Sequence, residues 1–337
     1  MINITPRDRV LGALRGEKTD RIPVSCVTQL GLVETMDITG ARWPEAHHDA
    51  TKMAALGGAL YRLAGLEAAR IPFCLTVQAE NFGCHVEFGT VDSTPGVRKA
   101  AFSTIEEVRY PDNFLGLNRI PIMLEATKIL KRDHPELPII VGMEGVFTLA
   151  GHLTGIENLL KWSIKSRDSI SKILEITAHA NIEYARALID AGADVICVAD
   201  PTASPELLSP RDFAFFIKPK LKEVSDSIRS KGALSALHIC GNVTRIVKDM
   251  AETGFDGLSV EEKIDVAKAR ELIGSPRPAL IGNVAAAKSM FTGKPEDVVL
   301  EAKRSLAAGV NILAPGCGMA PRTRLENVKA LVSAVQG

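Results

Sequence analysis

Short runs of apolar and β-branched residues alternate along this chain with longer stretches whose apolar positions recur three and four residues apart. The short runs predict eight strands: Ile22–Val27, Ala69–Val77, Pro138–Glu144, Asp194–Asp200, Leu234–Cys240, Gly257–Glu261, Ala279–Asn283 and Asn311–Pro315. The longer stretches predict helices. Asp49–Ala64 carries Met53, Leu56, Leu60 and Leu63 on one face. Asp168–Asp190 repeats the pattern with Ile170, Ile173, Leu174, Tyr184 and Leu188 and stops before Gly192. Arg211–Ser230 follows a Ser209-Pro210 start, and Pro295–Ala308 ends at Gly309. A first helix begins at Thr5-Pro6-Arg7-Asp8, a threonine cap with proline in the first turn and an acid three residues after the cap.

Strands separated by helices imply parallel pairing, because a parallel connection needs a crossover. Eight such units predict a (β/α)8 TIM barrel, with an open doubly wound sheet as the rival. One segment breaks the rhythm. In Gly83–Phe102, Cys84, Val86 and Phe88 alternate, a turn-rich VDSTPG follows, and a second extended run ends at Phe102. This reads as a β-hairpin inserted after the second strand, at the barrel mouth. It is either a lid or docking surface there, or a decoration with no role.

Composition sharpens this picture. With 337 residues, 46% of them apolar, the chain is ample for one large core and is expected to be a single domain over 1–337. Forty basic residues balance forty acidic ones, without the basic run that marks a nucleic-acid or membrane-surface binder. No apolar stretch approaches the roughly 20 residues that cross a bilayer. The start MINITPRDRV lacks the features of a signal peptide, so a cytoplasmic protein is expected. Six scattered cysteines do not form a disulfide framework; each is packing, a nucleophile or a metal ligand.

Working residues of such a barrel sit at the C-terminal strand ends. The predicted ends supply Glu144, Asp200, His238 with Cys240, Glu261, Asn283 and Cys317. In LHICGN, His238 and Cys240 are two apart, so alternation sends both side chains to the same side. Cys317 lies in APGCG, where Gly316 and Gly318 permit a tight turn. Thiolate sulfur with imidazole suits Zn(II), and three protein ligands with one open position is the catalytic arrangement. The residues alone leave a chance pair of packed histidine and cysteine as the alternative.

LHICGNVTRIVKDMAETGFDGLSVEEKI and APGCGMAPRTRLENVKALV resemble the methylcobamide:coenzyme M methyltransferases, of the uroporphyrinogen decarboxylase superfamily. VTQLGLVETMDITGARWPEAH, VGMEGVFTLAG and ADPTASPELLSP are similar to the same group, so the resemblance covers nearly the whole chain. It implies a zinc barrel in which the metal activates a small thiol acceptor such as coenzyme M. The thiol takes a methyl group from a methylcobamide carried by a partner corrinoid protein. His238, Cys240 and Cys317 match the zinc ligands, and Glu261 in SVEEK matches an acid that approaches the metal when substrate is absent. The chemistry is consistent: a free thiol has a pKa of about 8.5, and coordination to Zn(II) makes it a thiolate without a base. The chain lacks the Asp-x-His-x-x-Gly motif of corrinoid carriers, in keeping with a separate carrier.

The remaining candidates carry two readings each. Asp200 either positions substrate or caps the next turn. Glu144 lines the pocket or packs, and Asn283 could donate to an anionic group. His47, His48 and His152 are expected as surface or capping residues; Cys26, Cys74, Cys84 and Cys197 are expected as packing. Two departures from the family pattern bear on the acceptor more than on the metal. Arg322 and Arg324 stand where Met or Pro is usual after the last cysteine, and GMEGVFT lacks the usual proline after glycine. Three rival functions differ in class. A demethylase would run methyl transfer from a methylated substrate to a corrinoid protein. A uroporphyrinogen decarboxylase would need an arginine-rich stretch where this chain has VTQLGLVE. A non-enzymatic corrinoid-binding role would survive loss of zinc.

Overall fold

A computed structural model describes residues 4–336. Among the described residues nine strands form, in chain order: β1 Ala69–Ile71, β2 His85–Glu87, β3 Gly96–Lys99, β4 Ile139–Glu144, β5 Val195–Ala199, β6 Leu234–His238, β7 Gly257–Ser259, β8 Ala279–Val284 and β9 Ile312–Pro315. Seven of them make one parallel sheet in the order β1-β4-β5-β6-β7-β8-β9, and β2 pairs antiparallel with β3. The helical crossovers expected between parallel strands are present, among them Arg167–Asp190 before β5 and Pro295–Ala307 before β9. No helix of the described residues is long and apolar enough to cross a membrane.

The sheet curls. Ile140 on β4, Val195 and Cys197 on β5, Ala236 on β6, Ile281 on β8 and Ile312 and Ala314 on β9 share one buried cluster. Val10, Leu11, Ala13 and Leu14 of the helix Pro6–Arg15 join that cluster, so the first helix plugs the N-terminal end of the sheet. The predicted cap is present: Thr5 Oγ1 accepts from the Asp8 backbone N–H at 3.1 Å. The opposite faces of the strands, with residues such as Leu237, Leu258 and Leu280, pack on the surrounding helices in a second, larger cluster.

The N-terminal strand ends share a device. The carboxylate of Asp194 accepts from the Ile139 N–H at 3.0 Å, Asp256 from Ser235 N–H at 2.9 Å, and Asn311 Oδ1 from Leu280 N–H at 2.8 Å. In each case a side chain entering one strand caps a backbone donor of its neighbour.

Several expected boundaries move, each for a local reason. Ile22–Val27 forms no strand of its own. It contributes one parallel bridge, Val24 to Leu313, with Ser25 N–H donating to Leu313 O at 3.0 Å and Leu313 N–H to Pro23 O at 2.9 Å. Pro23 has no N–H to extend that ladder. On the other side, Glu67 N–H donates to Val24 O at 2.8 Å. β1 stops at Ile71, before Pro72, instead of reaching Val77. β6 ends at His238 and β7 at Ser259, so Cys240 and Glu261 lie in the loops that follow. The expected helix Arg211–Ser230 is split into Pro210–Asp212, a wider π turn over Phe213–Ile217, and Lys218–Ser230. Pro219 cannot donate to the preceding turn, which is where the wider spacing falls.

One buried carboxylate ties the first segment to the sheet. Glu67, 2% exposed, accepts from Arg21 Nη1 and Nη2 at 3.0 Å each, from Arg9, and from the Val24 N–H at 2.9 Å. Removing one side of such a buried network strands the other charges. Glu67→Gln is therefore expected to lower the unfolding free energy by about 3 kcal/mol or more, read by denaturant titration. A change below about 0.5 kcal/mol, the ordinary effect of a surface substitution, would show that the junction does not depend on this carboxylate.

Candidate metal centre

His238 is the last residue of β6, and its neighbours across the register are Ala199 on β5 and Ser259 on β7. Ile239 turns outward into the helix-facing core, so Cys240 again faces the side that His238 faces. Gly241 then takes φ +83, a left-handed conformation that turns the chain away. The loop after β9 brings in Cys317. Here the flanking glycines act by closeness and not by left-handed backbone. A Cβ on Gly316 would come 2.9 Å from Glu261 Cα, and one on Gly318 would come 3.2 Å from Gln29 Cβ.

The three donor atoms converge. Cys240 Sγ lies 3.3 Å from His238 Nε2 and 3.8 Å from Cys317 Sγ, and Cys317 Sγ lies 3.6 Å from His238 Nε2. Zinc at its usual distances from sulfur and imidazole nitrogen, with tetrahedral angles, requires sulfur–sulfur and sulfur–nitrogen separations of about 3.8 and 3.6 Å. The trio therefore has both the donor set and the spacing of a zinc site, and no large rearrangement is needed to close around an ion. His238 is 3% exposed. Its other ring nitrogen, Nδ1, lies 3.1 Å from Ser259 Oγ and 3.3 Å from Ser259 O. A donor bond from Nδ1 to that carbonyl leaves Nε2 as the free lone pair facing the sulfurs, the tautomer a metal needs.

The two thiols are unequal. Cys317 is held well below the usual thiol range by a hydrogen bond from Cys240 and, after the opposing effect of burial, by His238. Cys240 is raised by the same pairing with Cys317, by burial and by the adjacent Glu261 carboxylate.

Cys317 also borders a cavity of about 500 Å³, lined with it by Gln29, Thr94, Glu261, Lys263, Phe291 and Met319 among others. Glu261 reaches Cys240 on one side, and on the other its Oε2 lies 3.7 Å from Lys263 Nζ. The other sequence candidates are placed elsewhere. Asp200 is fully buried; its carboxylate accepts from Phe147 N–H at 3.1 Å, Thr148 N–H at 2.6 Å and the Thr148 hydroxyl at 2.7 Å. It caps the helix Val146–Thr154, not its own turn. Glu144 lies within reach of the Gln78 and Ala79 N–H groups at 3.4 and 3.3 Å. Burial raises the pKa of both acids. Asn283 points away from the cavity. Its Nδ2 donates to Glu261 O at 3.3 Å and Ile264 O at 3.1 Å, and it accepts from Ser305 at 3.0 Å.

Sequence reasoning passed over Ser259 and Gln29. Ser259 was legible in principle, since it stands opposite His238 once adjacent parallel strands are aligned; Gln29 had no chemical signal beyond following the first predicted strand. His47, expected at the surface or at a cap, is instead fully buried and stacked on Trp43, with centroids 5.2 Å apart, and burial pushes its pKa down to about 3. His152 is similarly pushed down by burial, to about 4. Cys26, Cys74, Cys84 and Cys197 are buried, as expected for packing.

The chain resembles known proteins over nearly its whole length. The family model described as Uroporphyrinogen decarboxylase (URO-D) matches residues 5–337. Methylcobamide:CoM methyltransferase MtaA of Methanosarcina barkeri is 46% identical over 337 residues, covering 99% of this chain and 98% of its own. Methylcobamide:CoM methyltransferase MtbA of Methanosarcina acetivorans is 36% identical over 337 residues, with 98% of each chain covered. A solved structure of a methyltransferase from Methanosarcina mazei superposes with a TM-score of 0.95 at 46% identity, covering 98% of both chains. The chain belongs to the uroporphyrinogen decarboxylase family, within its methylcobamide:CoM methyltransferase group.

Proposed function

We propose that this protein is a zinc-dependent methyltransferase. It moves the methyl group of a methyl-cobalt(III) corrinoid, presented by a separate corrinoid protein, to a small thiol such as coenzyme M. The observation that carries the reading is the convergence of His238 Nε2, Cys240 Sγ and Cys317 Sγ beside an open cavity. These three residues would hold the metal. Bound zinc supplies a Lewis acid that keeps an acceptor thiol in its nucleophilic thiolate form at neutral pH.

The chain's own groups do the rest. Ser259 holds the His238 ring in place. Glu261 stands beside Cys240 at the cavity; it would serve as a weak fourth ligand to the ion and as the acceptor of the proton from an incoming thiol. In the transfer, a sulfur–carbon bond forms as the cobalt–carbon bond breaks. The electron pair of that bond stays on cobalt, which goes from Co(III) to Co(I), and the thiol leaves as a methyl thioether. Asp200 and Glu144 fix the helices after β4 and β1, and Asn283 fixes the Glu261 loop; we assign them positioning and no contact with substrate.

The architecture proposed for this chemistry is a closed (β/α)8 barrel, one domain over the whole chain, with the Val24 segment as its eighth stave. The Val24–Leu313 bridge on one side and the Glu67–Val24 hydrogen bond on the other support closure. The β2–β3 hairpin is proposed to lie on the mouth rim. Asp92 in its turn pairs with Arg322 at 2.8 Å, in the loop beyond Cys317, and Thr94 reaches the cavity lining. We place the protein in the cytoplasm, where six free cysteines remain reduced.

Incubation of zinc-loaded protein with methylcobalamin and 2-mercaptoethanesulfonate is expected to yield cobalt(I), followed by absorbance, together with the methyl thioether. Cys240→Ser and Cys317→Ser should each lose the zinc and, with it, transfer by about a hundredfold or more. Full zinc occupancy in both variants, or undiminished transfer without metal, would refute the assignment. Glu261→Gln is expected to keep its zinc, measured by metal analysis, while transfer slows by about a hundredfold, the lower end of what a positioned proton acceptor contributes. An unchanged rate would leave Glu261 as nothing more than the ion-pair partner of Lys263.

A further inference from the structure

The charges around the cavity are uneven. Glu261 and Glu262 both line it, and among its described lining residues Lys263 is the one cation. Arg322 stands nearby but is committed to Asp92 on the hairpin, with its Nε donating at 2.8 Å. Lys263 is held loosely by comparison. Its Nζ lies 3.5 Å from Glu206 Oε1 and 3.7 Å from Glu261 Oε2. A charge-assisted N–H···O bond is about 2.7–2.9 Å long, and other lysines of this chain reach it: Lys218 to Asp249 at 2.7 Å and Lys231 to Asp190 at 2.6 Å. Lys263 therefore sits between two carboxylates without a full hydrogen bond to either.

Its backbone, by contrast, is pinned. Asn283 Nδ2 donates to the carbonyls of both Glu261 and Ile264, one on each side of Lys263, and Asn283 is itself held by Ser305. The result is a cation on a flexible stem, 49% exposed, rising from a fixed loop beside the carboxylate that the proposed thiol displaces. When that carboxylate gives way, Lys263 loses one of its two anions. A thiol that carries its own anion two carbons from the sulfur would replace it.

We propose that Lys263 is the specificity residue for the acceptor: it exchanges the Glu261 carboxylate for the terminal anion of a short anionic thiol, and so selects a mercaptoalkyl sulfonate or carboxylate over neutral and cationic thiols. This rests on the thiol reading of the metal centre. Glu206, the other partner of Lys263, competes with the ligand. Glu206 also lies over Gly241, where a Cβ would meet its Oε1 at 2.6 Å.

Three thiols of one length separate charge from sulfur chemistry: 2-mercaptoethanesulfonate, 2-mercaptoethanol and 2-mercaptoethylamine. Their affinities are measured calorimetrically on the zinc-loaded full chain without methyl donor, with zinc content determined for every variant. Lys263→Ala is expected to reduce the preference for the sulfonate over the alcohol by about tenfold, the scale of one charge-assisted hydrogen bond. Lys263→Arg should restore most of it, Lys263→Glu should turn the preference toward the amine, and Glu206→Gln should tighten the sulfonate. Equal weakening of all three thiols in Lys263→Ala, or an unchanged sulfonate preference, would overturn the role of Lys263 and leave the thiol site standing. Failure of the unaltered protein to bind any of the three would overturn the thiol site, and the assignment of Lys263 with it.

Discussion

The meeting of His238, Cys240 and Cys317 depends on sheet curvature. His238 and Cys240 come from the end of β6, Cys317 comes from the end of β9, and β7 and β8 lie between them in the sheet. Neighbouring strands are about 4.8 Å apart, so three steps across a flat sheet would separate these ends by roughly 14 Å. The two sulfurs are 3.8 Å apart. Only a sheet that bends its C-terminal ends toward a common axis can bring them together. That bend is supported below by the apolar cluster on its concave face and by the first helix plugging its N-terminal end. The site thus reports on the whole fold, and a change that flattens the sheet would separate the ligands before it unfolded the chain.

The loops refine what curvature begins. Small residues let the strand-end loops approach: Gly316 against Glu261, and Gly241 against Glu206. Buried polar groups then fix them, Ser259 on the imidazole and Asn283 on the Glu261 loop. The groups closest to the donor atoms are therefore rigid, while the charged side chains facing the cavity, Glu261 and Lys263, make only long contacts with each other. This division suits a site that keeps its ligands constant while admitting and releasing a charged substrate. The hairpin turn is linked to the loop beyond Cys317 through Asp92 and Arg322, and its Thr94 lines the cavity. The two arginines that depart from the family pattern divide here: Arg322 reaches the hairpin, and Arg324 turns to Gly293 O at 2.8 Å and to Glu326.

Much of this was legible in the sequence because periodicity reports burial. β4 through β9 follow from apolar runs set between helical patterns, and the His238–Cys240 pair follows from alternation even though the ladder stops at His238. What was not legible depended on tertiary partners. Ile22–Val27 has strand composition, but Pro23 and its position between Leu313 and Glu67 limit it to one bridge. Asn283 occupies a strand end, where side chains are expected to face the mouth, yet its amide is drawn to the Glu261 loop and Ser305. From position alone Asp200 looked like a catalytic or substrate-positioning acid and Glu144 like a pocket-lining one; the backbone donors they satisfy belong to other segments of the chain, which no local pattern announces.

We propose that His238, Cys240 and Cys317 form a zinc site whose remaining position is open to a thiol. Zinc X-ray absorption on the metal-loaded protein, with and without 2-mercaptoethanesulfonate, tests it most directly. Two sulfur neighbours are expected without the thiol and three with it, at about 2.3 Å. A sulfur count that stays the same on adding saturating thiol would contradict it.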